Sequence, residues 1–124
     1  MKILQLKGPQ QVEITFENLE VTHPEQEHKS RTLSITVTYF SNTSYSVGEF
    51  RNYLLKNLHL HQEILTERCY NWWRTRVDPE WIGVTITGRY KTDPPSVIIT
   101  SKHSNFTDTV REEEGEEREE VEND

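Results

Sequence analysis

The segment His61–Pro79, HQEILTERCYNWWRTRVDP, constrains the architecture of this chain more than any other stretch. Its apolar or sulfur side chains, Ile64, Leu65, Cys69, Trp72, Trp73 and Val77, recur at the spacing of one helical face. Glu63 and Glu67 lead and Arg74 and Arg76 follow, an order that matches the helix dipole. Pro79 disfavours helical backbone at Asp78, which sets the stop. A helix with one apolar face needs a surface to cover, and the segments on either side supply it.

Those segments alternate with period two. Over Gln11–Glu17, Val12, Ile14 and Phe16 share one side, and the strand is open to continuation through Leu19 and Val21. Over Thr32–Phe40, Leu33, Ile35, Val37 and Tyr39 face inward and threonines and a serine face outward. The polar loop THPEQEHKSR between them makes the pair an antiparallel hairpin. Ser41–Ser46 has the chemistry of a turn, and Ser46 with Glu49 resembles a capping box opening a first helix, Val47 to about Leu58. After the long helix, Trp81–Tyr90 reads as a third strand, KTDPP as a turn, and Ser96–Ser101 as a fourth strand. The expected fold is α+β, β-β-α-α-β-β, with both helices on one face of an open antiparallel sheet. Two free edges, an apolar strand face and a cluster of Trp72, Trp73 and Trp81 point to a homo-oligomer, closing into a barrel.

Charge separates a body from a tail. The 124 residues carry a net charge of −7. Asp108–Asp124 holds ten carboxylates and two arginines, so the rest of the chain is near +1. We therefore read residues 1–106 as one domain and 107–124 as an acidic tail too poor in apolar residues to order itself. A near-neutral body argues against general nucleic-acid binding. No segment approaches the ~20 apolar residues of a membrane span. One cysteine excludes an internal disulfide, and the chain reads as intracellular, in the cytoplasm.

Several residues carry candidate chemistry. Glu63, on the first turn of the long helix, can accept paired N–H donors from a purine-like or pterin-like edge, although a first-turn glutamate also serves the dipole alone. Glu49 has the same two readings. His59 and His61 form a His-x-His pair that could join His23 as a three-histidine zinc site, but spacing ties no third ligand to the pair. Cys69, on the apolar helix face, reads as an inert buried thiol.

With these residues placed, the chain resembles the tunnelling-fold family, most closely the 7-cyano-7-deazaguanine reductases of queuosine synthesis. VTHPEQEHKSRTLSITVTYF resembles that family's Cys-Pro loop and following strand, GEFRNYLL its Glu-Ser-Lys-Ser helix start, HLHQE its Phe-His-Glu, and VDPEWIGVTITGRY its Asp-Pro-x-Tyr-Ile-x-Val strand. The resemblance spans about Val21–Ser104. It implies that Glu63 anchors the base, that Glu49 assists, and that Gln62 occupies the position of the family's histidine, with His61 adjacent. It implies a purine-like or deazapurine-like ligand held at a subunit interface.

The departures bear on catalysis. His23 stands where the family's nucleophilic cysteine precedes Pro24, its aspartate falls at Lys29 or Ser30, and its Ser-Lys cofactor contacts become Phe50 and Arg51. Nitrile reduction needs a thiolate for its covalent intermediate. The resemblance thus implies base binding without reduction, and NADPH enters only through the resemblance. The alternatives are an enzyme of altered chemistry in 7-deazaguanine or pterin metabolism, with His23 and His61 as catalytic candidates, or a protein-interaction module using the acidic tail.

Overall fold

The computed structural model describes residues 3–22, 25, 30–91 and 97–105. The elements run β1 (Ile3–Val21), β2 (Arg31–Tyr45), α1 (Val47–Asn57), α2 (Gln62–Val77), β3 (Trp81–Tyr90) and β4 (Val97–Ser104). The strands form one antiparallel sheet in the order β1-β2-β3-β4. The chain is thus α+β with the expected β-β-α-α-β-β order. Among the described residues, no helix is long and apolar enough to cross a membrane. His23, Lys29, most of the KTDPP turn and the tail 107–124 lie outside the described residues.

Alternation builds the core. Leu33, Ile35, Val37 and Tyr39 of β2 and Ile82, Val84 and Ile86 of β3 are buried beneath the helices, beside Phe50 and Leu54 of α1 and Leu65, Cys69, Trp73 and Val77 of α2. The centre is aromatic. Trp73 stacks on Tyr39 at 5.5 Å between ring centroids, and Phe50 meets both Trp72 and Trp73 at 5.1 and 5.2 Å. The Arg76 guanidinium lies 4.2 Å over the Trp72 ring and covers its outer side.

Five expectations need correction. Ser41–Ser46 is not a turn: β2 continues to Tyr45, paired with Ile3–Gln5. The hydroxyls that suggest a turn instead hold the end of α2, because Ser41 Oγ and Thr43 Oγ1 donate to the Val77 carbonyl at 2.6 and 2.7 Å. A last-turn carbonyl has no partner within its own helix, and β2 supplies two. Correspondingly β1 begins at Ile3, before Gly8-Pro9; the ladder is interrupted between Gln5 and Gln10, where proline has no N–H to give. Ile64 is 46% exposed, and Gln62, Thr66 and Tyr70 take places on the buried face of α2. Finally, Trp81 does not join Trp72 and Trp73. It pairs with Phe40 across β2 and β3 and stacks on it at 6.0 Å, on the face away from the core. That face is not apolar; its central rows are Thr15, Thr36, Thr85, Ser34, Thr87 and Thr100.

The cap of α1 is as expected. Ser46 Oγ accepts from the Glu49 amide at 3.2 Å. Asp78 ends α2 in the left-handed region at φ 45°, one residue before Pro79.

Candidate functional site

The start of α2 lies against the last residues of β3 and the middle of β4. Helix α1 ends at Asn57, and Leu58–His61 turns the chain back into α2. Arg31, the first residue of β2, fixes this link: its Nη2 donates to the carbonyls of Leu58 and Leu60 at 2.9 and 2.8 Å. The first backbone bond of α2 runs from Leu65 N–H to His61 C=O at 2.9 Å. The amides of residues 62–64 precede that bond, and the N-cap residue His61 offers them no side-chain acceptor. The positive end of the helix dipole therefore opens toward solvent here.

A concavity of about 340 Å³ lies at this point. Arg31, Gln62 and Tyr90 line its inner part, Leu60 and Ile99 its apolar part, and His59, His61 and Glu63 its exposed rim. His61 Nδ1 and Glu63 Oε1 are 2.6 Å apart, with both side chains well exposed. Ile99 belongs to β4, which is an edge strand among the described residues, so the concavity borders that edge of the sheet.

Gln62 is 1% exposed and both ends of its amide are hydrogen-bonded. Nε2 donates to the carbonyls of Ile86 and Ile99 at 3.0 and 2.9 Å and approaches Ser101 Oγ at 3.2 Å. Oε1 accepts from the Tyr90 hydroxyl at 3.0 Å. Ser101 Oγ also contacts Thr66 Oγ1 at 2.6 Å. Gln62 thus ties α2 to β3 and β4, and each end of its amide has a partner within the protein. The close fit extends to Gly88, where a Cβ would collide with Gln62 Oε1 and press on Leu33 and Tyr90.

The structure gathers Glu63, Gln62, His61 and His59 at one site and leaves Glu49 elsewhere. Glu49 is on the first turn of α1, and the eight residues to the end of that helix rise about 12 Å. Its amide serves the Ser46 cap. Cys69 is fully buried in the core, and burial pushes its thiol up from 9.0 to about 12. Among the described residues, no three histidine, cysteine or acidic side chains come together as a metal site. His59 and His61 share the rim, while His23 lies outside the described residues.

Sequence reasoning missed Arg31, Tyr90 and Ile99. Arg31 had a usable signal: it falls in phase with Leu33, Ile35, Val37 and Tyr39, so the strand turns it inward. It is 5% exposed. Ile99 and Tyr90 join through the pairing of β3 with β4, which spacing within either strand does not reveal. No family model matches the chain. No curated protein matches it either.

Proposed function

We propose that this chain is a tunnelling-fold subunit that binds a purine-like or deazapurine-like base in the concavity at the start of α2, without reducing a nitrile. Glu63 is the anchor, accepting from the N–H edge of the base. The observation that carries the reading is the position of Glu63: a carboxylate on the first turn of a helix, on the rim of a concavity whose inner wall is Arg31, Gln62 and Tyr90. Carboxylate acceptors beside a bicyclic base make paired charge-assisted bonds, the stronger kind. A volume of about 340 Å³ is at the small end of the ~300–1,000 Å³ typical of ligand pockets and suits a base better than a nucleotide.

Gln62 positions the helix start in this reading and does not read the ligand. Glu49 takes no part in the same subunit's concavity. The place of the concavity beside edge strand β4 supports a site completed by a second copy, with the sheets joined into a barrel. Binding alone requires no NADPH. Cys69, the chain's one cysteine, is enclosed by the core and protonated at neutral pH, so it offers no thiolate to a nitrile.

Calorimetric titration of the full chain with 7-deazaguanine and guanine tests the proposal. Binding is expected in the wild type and a loss of about tenfold or more in Glu63→Ala, the worth of hydrogen bonds to a charged group. Affinity unchanged by that substitution removes Glu63 as anchor; no binding of either base removes the function.

A further inference from the structure

His61 closes the link before α2, and its backbone is held from both sides. Its carbonyl accepts the first bond of the helix, from Leu65 N–H at 2.9 Å, and the carbonyl before it, Leu60, accepts from Arg31 Nη2 at 2.8 Å. It occupies the N-cap position, with φ −55° and ψ 142°, yet its side chain caps nothing. The ring turns to Glu63 instead, with Nδ1 2.6 Å from Oε1. A ring nitrogen and a carboxylate oxygen cannot both present lone pairs at that separation, so Nδ1 carries a proton and donates it. In the uncharged ring this leaves Nε2 as the acceptor. Both side chains line the concavity.

We infer that His61 is a positioning residue for Glu63: its Nδ1–H holds the carboxylate on the rim of the concavity, so that the base meets a glutamate already arranged to receive it. The inference rests on the base-binding reading above. A glutamate side chain turns about several bonds, and fixing it for a ligand costs conformational entropy at the moment of binding. A contact made in the free protein moves that cost from binding to folding. One bond to Oε1 does not exhaust the carboxylate, which has about four acceptor sites, so both oxygens remain usable by the N–H edge of a base. The two side chains are 72% and 61% exposed, so water screens the contact and its effect on affinity is modest, about threefold to fivefold.

Calorimetric titration of the full chain with 7-deazaguanine tests the inference. His61→Ala is expected to weaken binding by about threefold to fivefold. His61→Asn, whose side-chain amide offers an N–H near the place of Nδ1–H, is expected to restore most of it. Asparagine is also a good N-cap, so His61→Asp is the control: it caps as well and has no N–H to give. Rescue by both variants traces the gain to the cap and overturns the inference, as does unchanged affinity in His61→Ala. In a Glu63→Ala background, His61→Ala is expected to cost nothing more; a further loss there puts His61 on the ligand itself and removes the positioning role. The ligand-free protein gives a second readout. The ring nitrogen resonances of uncharged His61 should place the proton on Nδ1 in the wild type and show it moving toward Nε2 in Glu63→Ala. A wild-type ring protonated on Nε2 ends the inference and leaves base binding standing. If 7-deazaguanine does not bind the wild type at all, the functional reading falls and takes this one with it.

Discussion

Gln62 shows how one neutral side chain can set the geometry of a site it does not itself serve. Its amide bonds to two carbonyls and a tyrosine hydroxyl across three elements, and it does so while buried. Replacing it by leucine removes those bonds and leaves polar groups unpaired, a loss of about 2–4 kcal/mol that a shift of the urea midpoint would register. Gly88 belongs to the same unit. Gly88→Ala is expected to cost about 1–3 kcal/mol by overpacking against Gln62 Oε1. In a Gln62→Ala background the added methyl finds room, so the double-mutant cycle should show coupling of about 1 kcal/mol; simple additivity would separate the two residues. Cys69 gives a pH prediction. Its thiol stands at about 12 in the folded protein against 9.0 in an open chain. The folded state holds this proton more tightly, so the associated stability is complete below pH 9 and is lost as pH rises toward 12. Wild-type melting should fall more steeply than that of Cys69→Ala across that range, and parallel profiles would contradict the burial argument.

At the scale of elements, each boundary answers to a local group. Ser46→Ala removes the acceptor of the Glu49 amide and should lower stability by about 1 kcal/mol, measured by chemical denaturation; no change would mean that water replaces the cap. This cap, the alternation of β2 and β3, and the stop of α2 at Asp78-Pro79 were legible because each depends on residues near in sequence. Ser41–Tyr45 was not. Hydroxyl residues bond readily to nearby backbone, which is the signature of a turn, but here the carbonyl they find is Val77, far along the chain. Ile64 failed for a related reason. Periodicity alone admitted it to the buried face, whereas the sheet edge at β4 asked there for polar Gln62 and Thr66, which bond with Ser101. For the site, Glu63 and the two histidines could be found from their place at a helix start. The contribution of Arg31 depends on the Leu58–His61 link folding over the first residue of β2, a contact between segments 27 residues apart.

Among the described residues the sheet is open and covered on one face only, and its edges are where the proposed assembly must form. Edge β4 exposes Val97, Ile98 and Ile99, and edge β1 exposes Ile3 and Leu4. Edge strands with apolar side chains and free backbone groups pair readily with other strands; soluble monomers usually block them with charge, proline or a bulge. Here β1 carries Pro9 and an irregular register near its start, while the three exposed apolar residues of β4 are consecutive. If copies join edge to edge, the concavity beside Ile99 gains a wall from the neighbour, and Glu63 loses much of its exposure. Sedimentation equilibrium should then return a multiple of the 14.7 kDa chain mass. Ile98→Lys with Leu4→Lys places charge at both seams and should return single chains with unchanged far-UV dichroism. Those single chains should also bind the base more weakly, because part of the site is missing. A wild-type mass of one chain at all concentrations would break the link between edge pairing and the site, and the concavity would have to function with the residues of one subunit alone.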